Sequence, residues 1–124
     1  MRRDAPTAWL AAAVVVHLAV LYWPRPPDVG GGVPHLDLVV HLVVFGAVAL
    51  CAVRCGLPLR WVVLALLAHA VVSEVVQDAL VPDRTGDWRD AVADAAGTLA
   101  GALLGRRWLP RGAARTAPDP VRAR

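Results

Sequence analysis

Four apolar stretches alternate along the chain with short polar or Pro- and Gly-rich segments. Residues 8–23, 36–55 and 59–80 are apolar with few interruptions, and residues 89–108 form a fourth, weaker stretch. About 20 residues of α-helix cross a bilayer core of about 30 Å. A helix also satisfies its own backbone hydrogen bonds in lipid. The pattern therefore predicts an all-α fold, an integral membrane four-helix bundle.

The segments between the stretches are typical of loops. Residues 24–34 read PRPPDVGGGVP, Gly56-Leu57-Pro58 follows the second stretch, and VPDRTGDW separates the third from the fourth. Proline and glycine at these densities do not continue a helix. The charged start could instead open a signal peptide, but no small-residue cleavage site follows, so a retained first span is favoured. The predicted parts are a cytoplasmic N-terminus (1–7), a four-helix transmembrane domain (8–108) and a disordered basic cytoplasmic tail (109–124).

Tryptophan and arginine positions agree with these spans and predict their orientation. All five Trp residues fall near predicted span ends, where the indole ring favours the membrane interface. With the N-terminus in the cytoplasm, only Arg25, Arg84 and Arg89 lie on the outer side, and the other arginines lie inside. The positive-inside rule therefore predicts a multi-pass protein of the bacterial cytoplasmic membrane with both termini cytoplasmic.

Composition narrows the classes of function. The chain has 124 residues, 57% of them hydrophobic, and a formal net charge of +3. The basic balance does not indicate nucleic-acid binding, because no such motif and no basic face with interleaved aromatics is present. The only cysteines, Cys51 and Cys55, lie one helical turn apart in an apolar stretch and are interpreted as small hydrophobic residues.

Ionisable residues inside the apolar stretches indicate a site. At 1.5 Å per residue, His41 lies about 7 Å and Glu74 about 9 Å below the outer ends of their spans, and Asp94 lies about 6 Å deeper than the shallow Asp90. Three helices thus place polar groups in one outer layer, and charged groups in a membrane must face the bundle interior and find partners. The predicted ligand-binding pocket comprises Asp37, His41, Glu74, Gln77, Arg84, Asp87, Asp90 and Asp94.

Each of these positions also has a structural interpretation. Asp37 and His41 could be a helix cap and a packing histidine, and Glu74 with Gln77 a buried hydrogen-bonding pair. Asp87 and Asp90 could simply favour the positive end of the fourth helix. For His17 and His69, which lie near mid-membrane, a structural hydrogen bond between helices is favoured over a proton relay.

The fourth stretch also carries glycines at a helical spacing. Gly97, Gly101 and Gly105 form two overlapping G-x-x-x-G steps, which allow close approach of two helix backbones. Packing against the second or third span is favoured, and self-association into a homo-oligomer is the alternative.

Three motifs together resemble the VanZ-like family of small bacterial membrane proteins. The first stands as Asp37-Leu38-Val39-Val40-His41, without the family's Lys and Phe. The second, Glu74-Val75-Val76-Gln77, is intact. The third runs through Arg84, Asp87, Asp90, Asp94 and Gly97, with Asp94 where the family has Asn. The resemblance covers roughly residues 8–108 and implies a four-helix membrane domain linked to glycopeptide antibiotics, since the founding member lowers susceptibility to teicoplanin.

Two hypotheses follow for the function. The favoured one is a non-catalytic protein of the cell envelope whose outward pocket binds a lipid-linked or lipophilic ligand, or an envelope partner, among the membrane lipids. The alternative is an intramembrane enzyme in which His41, Glu74, Asp90 and Asp94 bind a divalent metal or perform acid–base chemistry on a lipid phosphate or lipid-linked sugar. No established metal-ligand spacing or catalytic motif supports catalysis, and no cofactor is predicted. A small transporter would require more spans or an oligomer.

Overall fold

The computed structural model of the protein describes residues 4–24, 35–83 and 85–108. Within these ranges the chain forms four α-helices and no strand, which confirms the all-α prediction. The helices are α1 (Asp4–Tyr22), α2 (Leu36–Arg54), α3 (Leu59–Leu80) and α4 (Trp88–Arg107). Arg84, the loop at 25–34 and the predicted tail at 109–124 lie outside the described residues.

The helix starts follow local chemistry. Helix α1 begins at Asp4, four residues before the first predicted span, and so takes in Pro6. Proline is tolerated in a first turn because its missing N–H would have no partner in the helix. Helix α4 begins one residue earlier than predicted, where the Asp87 side chain accepts a hydrogen bond of 2.9 Å from the Arg89 N–H. This is N-capping by an aspartate.

The connection between α2 and α3 is a glycine-based C-terminal cap. Gly56 has φ +87, a left-handed conformation that favours glycine. The Gly56 N–H donates to the Val53 carbonyl at 2.9 Å and the Leu57 N–H donates to the Ala52 carbonyl at 3.2 Å. These two bonds form a Schellman motif, which satisfies carbonyls at the end of α2 before Pro58 starts the next helix.

Helix α2 is the centre of the bundle, and its closest neighbour is α4. A Cβ added at Gly97 would meet the Leu42 carbonyl oxygen, and one added at Gly101 would meet the Gly46 carbonyl oxygen. A Cβ at Gly105 would lie 2.9 Å from the Leu50 carbonyl oxygen. The contacts advance along both helices together, so α2 and α4 run parallel.

Helix α1 runs antiparallel to α2 and parallel to α3. Near its start, the Pro6 carbonyl accepts a hydrogen bond of 3.2 Å from the Cys55 thiol at the end of α2. Near its end, the Leu21 carbonyl accepts a hydrogen bond of 2.9 Å from the Gln77 side chain of α3. Phe45, Ala49 and Leu21 are fully buried between the helices and form part of the apolar core.

The outer surface of the bundle is largely apolar. Large hydrophobic side chains are exposed on all four helices: Val15, Val16, Leu18, Val39, Leu42, Val43, Leu64, Val71, Val72, Val75, Val92, Leu99, Leu103 and Leu104. Two helices, α2 and α3, are long and apolar enough to cross a membrane, and only 39% and 22% of their apolar windows are buried in the bundle. The apolar part of α1, Pro6–Tyr22, is shorter. A soluble protein rarely exposes so much contiguous apolar surface, so the fold indicates association with a membrane.

Candidate functional site

His41 of α2 is the centre of the polar residues in the bundle. Its side chain is buried, and its Nδ1 atom lies 3.0 Å from Oδ1 of Asp94 on α4. The other ring nitrogen, Nε2, lies 3.8 Å from Oδ2 of Asp90 on the same helix. His41 therefore faces one carboxylate with each side of its ring.

The backbone packing of α2 and α4 brings these groups together. His41 directly precedes Leu42, whose carbonyl contacts Gly97, and Asp94 lies three residues before Gly97. Asp90 and Asp94 are spaced i, i+4 and therefore lie on one face of α4. Because no Cβ stands between the helices at Gly97, the short aspartate side chain reaches the imidazole directly.

Glu74 of α3 supplies a third carboxylate and holds the turn that precedes α4. Its Oε2 atom accepts a hydrogen bond of 2.7 Å from the Asp87 N–H. One helical turn later, Oδ1 of Asp78 accepts a bond of 3.3 Å from the Gly86 N–H. A Cβ at Gly86 would lie 2.8 Å from the Glu74 carbonyl oxygen, so the turn needs glycine at this point to pack against α3. The start of α4 is thus fixed on the end of α3.

We call His41, Glu74, Asp90 and Asp94 the His41 cluster. One ligand atom each from His41, Glu74 and Asp90 lies within 4.8 Å of the others. Within the described part of the chain, three buried oxygens of the cluster have no hydrogen-bond partner: Glu74 Oε1, Asp90 Oδ1 and Asp94 Oδ2. Burying carboxylates is costly unless they are paired. The cluster therefore has unused capacity to accept hydrogen bonds or to bind a cation.

The other residues of the predicted pocket lie elsewhere or at its edge. Asp37 is exposed at the start of α2 and acts electrostatically on Asp90. Gln77 is buried but donates its amide to the Leu21 carbonyl of α1, so it joins α3 to α1. Asp87 caps α4 through its side chain and contacts the cluster through its backbone N–H. Arg84 is outside the described residues.

A second set of aromatic and imidazole rings lies deeper in the bundle. The His17 ring lies edge-on to Phe45 with centroids 4.4 Å apart, and its centroid is 5.2 Å from that of His69. Tyr22 completes this set, with its ring 6.2 Å from His69. The His69 ring is also 5.8 Å from that of Phe45, so the four rings form one group.

Three further residues near the cluster were not identified from the sequence. Ser73 is fully buried and donates to the Ala70 carbonyl of its own helix at 3.0 Å. Thr98 is fully buried one turn after Asp94, and its hydroxyl oxygen has no partner among the described residues. Gly46 of α2 packs directly against Gly101 of α4. The available signals were the positions of Thr98 four residues after Asp94 and of Ser73 beside Glu74.

Comparisons of the chain with protein-family models, with curated proteins and with solved structures gave no match. The geometry of the His41 cluster and the character of the bundle surface are therefore the basis for a functional conclusion.

Proposed function

We propose that this chain is a VanZ-like integral membrane protein of the bacterial cell envelope. It crosses the cytoplasmic membrane with four helices and keeps both termini in the cytoplasm. The His41 cluster lies toward the outer face and binds the polar part of a lipid-linked or lipophilic ligand. Through this ligand the protein modulates susceptibility to glycopeptide antibiotics of the teicoplanin type.

The bundle surface supports the membrane part of the proposal. Apolar side chains face outward on every helix, which is unfavourable in water and favourable in acyl chains. Trp23, Trp61, Trp88 and Trp108 are exposed within a residue or two of helix ends, where an indole ring would meet the headgroups. The parallel arrangement of α2 and α4, with α1 and α3 opposed to them, is the one that four consecutive spans produce.

The position of the cluster supports an outward-facing site. His41 lies in the second turn of α2, Asp90 and Asp94 in the first two turns of α4, and Glu74 in the last two turns of α3. All four residues are therefore near the same end of the bundle. The opposite end carries Arg54, Arg60, Arg106 and Arg107, and the positive-inside rule assigns that end to the cytoplasm.

The single observation that carries the binding function is the convergence of three buried carboxylate oxygens without hydrogen-bond partners. The three carboxyl groups come from two helices, and the other oxygens of Asp94 and Asp90 lie 3.0 and 3.8 Å from an imidazole on a third. Polar groups in a membrane interior are costly, and they are kept where they bind something. The matching ligand chemistry is a group that donates hydrogen bonds, such as the hydroxyls of a lipid-linked sugar or an amine.

The alternative function is acid–base catalysis on a lipid phosphate or lipid-linked sugar. One observation favours it: the 3.0 Å contact between His41 Nδ1 and Asp94 orients the ring so that Nε2 faces the cluster. A histidine held in this way by a carboxylate is a suitable general base. Turnover of labelled envelope lipids by the purified protein would distinguish catalysis from binding.

Antibiotic susceptibility tests the proposed function. A glycopeptide-sensitive bacterium expressing the wild-type chain is expected to show a changed minimal inhibitory concentration of teicoplanin. Glu74→Gln removes a charge from the cluster but keeps the side-chain shape, and we expect it to abolish the change. Asp78→Asn is the matched control, because Asp78 is an exposed carboxylate one turn further along α3 and asparagine keeps an oxygen that can accept from the Gly86 N–H.

The amounts of each variant in the membrane are measured in parallel. An unchanged teicoplanin response in a well-expressed Glu74→Gln variant would contradict the proposal, and so would equal losses in both variants. Mass spectrometry of lipids that remain bound to the purified wild type, but not to Glu74→Gln, would identify the ligand.

A further inference from the structure

We propose that His41, Glu74 and Asp90 bind a divalent first-row transition-metal ion, with Zn²⁺ as the test ion. Asp94 and the Asp87 backbone N–H act as outer partners that orient the ligands. This inference deepens the proposed function and rests on it for the role of the metal, whereas binding of the metal is measured independently.

The ligand atoms are close enough to share one ion. Single ligand atoms of the three residues lie within 4.8 Å of one another, and His41 Nε2 is 3.8 Å from Asp90 Oδ2. Ligands bound at about 2.1 Å in tetrahedral geometry are about 3.4 Å apart. Small side-chain rotations are enough to close the remaining difference.

The contact with Asp94 fits the form of the imidazole that a metal requires. When Nδ1 donates its proton to Asp94 Oδ1, Nε2 carries the lone pair and faces Asp90. Two acceptors, a neutral nitrogen and a carboxylate oxygen, then face each other at 3.8 Å, and a cation between them would bind both. A metal-bound histidine that donates its other N–H to a carboxylate is the usual arrangement at protein metal sites.

Glu74 is oriented in the same way by an outer partner. The Asp87 N–H donates to Oε2, which leaves Oε1 buried and without a partner among the described residues. Asp90 is 7% exposed, and its Oδ1 atom is also buried without a partner. These unpartnered atoms are a second observation, independent of the acidic character of the cluster, that points to a ligand.

Charge balance favours a divalent cation. With all three carboxylates ionised and the imidazole neutral, as metal binding requires, the cluster would carry a total charge of about −3, and in a poorly solvated site this repulsion would be strong. A divalent ion reduces this charge to about −1. The imidazole nitrogen favours Zn²⁺, Fe²⁺ or Mn²⁺ over Mg²⁺ and Ca²⁺, which prefer sites made of oxygen alone.

Three protein ligands leave a coordination position free on the ion. If the proposed function holds, this position would accept an oxygen of the bound ligand. The metal would then explain how an acidic cluster can bind an anionic group such as a lipid phosphate. The metal site therefore indicates a phosphate-bearing lipid as the class of ligand.

The test is metal content and Zn²⁺ affinity of the full chain purified in detergent. After loading and dialysis, we expect about one Zn²⁺ per wild-type chain by elemental analysis. His41→Ala and Asp90→Asn should lose stoichiometric binding. Asp94→Asn keeps all three ligands but loses the outer carboxylate, and its affinity should fall by about 10- to 100-fold. Asp78→Asn removes an exposed charge that is not a ligand and keeps an oxygen that can accept from the Gly86 N–H, so it should bind as the wild type does.

Thermal unfolding with and without Zn²⁺ identifies variants that fail to fold. Zn²⁺ should raise the Tm of the wild type and of Asp78→Asn, and leave that of folded His41→Ala unchanged. A folded wild type that binds neither Zn²⁺ nor Mn²⁺, or a His41→Ala variant that retains the ion, would overturn the metal site. A teicoplanin response without bound metal would end this proposal alone, and bound metal without any response would end the proposed function alone.

Discussion

The two halves of the α2–α4 interface are formed by different kinds of residues. The half near the start of both helices contains His41, Asp90 and Asp94, and the other half contains Gly97, Gly101 and Gly105 against the α2 backbone. In the first half side chains fill the space between the helices and meet through charge. In the second half α4 presents glycines, and its backbone lies close to the backbone of α2.

The glycine half determines the geometry of the polar half. Leu42 contacts Gly97 and directly follows His41, so the helix separation set at Gly97 extends to the imidazole one residue away. A wider separation would place Asp94 beyond hydrogen-bond distance of His41. Close backbone packing through small residues is a common way for membrane helices to associate. Here it also positions an ionisable site.

Substitution of the glycines is expected to have the largest effect. In Gly101→Ala the new Cβ would collide with the Gly46 carbonyl oxygen, a backbone atom that cannot rotate away. We expect the free energy of unfolding to fall by more than about 3 kcal/mol, at the upper end for overpacked cores. Unfolding in mixed detergent micelles, followed by tryptophan fluorescence, measures this change.

Two other glycines of the interface are matched controls for Gly101→Ala. A Cβ at Gly105 would lie 2.9 Å from the Leu50 carbonyl oxygen, and one at Gly46 would lie 3.2 Å from the Gly97 carbonyl oxygen. Gly105→Ala should therefore destabilise less, and Gly46→Ala should change stability by less than about 1 kcal/mol, because alanine also favours the helix. Equal losses at all three positions would contradict a backbone clash as the cause.

The polar half is tested by a double-mutant cycle between His41 and Asp94. Their contact at 3.0 Å is buried, and we expect His41→Ala and Asp94→Ala to be coupled by about 1–2 kcal/mol in the unfolding free energy, near the upper end for hydrogen bonds in membrane proteins. Unfolding in mixed detergent micelles, followed by tryptophan fluorescence, measures this coupling. Strictly additive losses would show that the two side chains do not interact in the folded protein.

The smallest effect is expected at the start of α4, beside the polar half. Asp87→Ala removes the cap on the Arg89 N–H, but it keeps the backbone N–H that donates to Glu74. A loss of about 1 kcal/mol is expected, since this is the usual contribution of an N-cap. Thr85→Ala, in the exposed turn before α4, is the control. A loss as large as that of Gly101→Ala would mean that Asp87 acts in the site through its side chain.

The helices themselves were predictable from the sequence, because they depend on local information. Apolar length separated four elements, and proline and glycine marked the ends at Pro58 and Gly56. The start of α1 was not predicted, since residues 1–7 were interpreted as a polar segment before the span, whereas the helix begins at Asp4. Asp87 was interpreted as a residue that could favour the positive end of the fourth helix, which is its start. Its bond to the Arg89 N–H depends on the geometry of the turn.

The residues of the His41 cluster could be predicted only in part from the sequence. Depth along each helix placed His41, Glu74 and Asp94 in one layer, since rise per residue is fixed. Depth does not give the rotation of a helix about its axis, and therefore it did not separate Gln77, which faces α1, from Glu74, which faces α4. Gly46 was not identified because one glycine in an apolar helix has no repeat to mark it.

The sequence by itself determined which segments are helical, how far each polar residue lies from the end of its helix, and where α4 lacks side chains. These properties follow from hydropathy, helix rise and residue size, which act within one segment. Only the tertiary structure decided that the glycines of α4 lie on Leu42 and Gly46, that Asp94 reaches His41, and that Gln77 bonds to Leu21. Each of these contacts depends on the rotation and separation of two helices, and those are set by packing between segments that are distant in the chain.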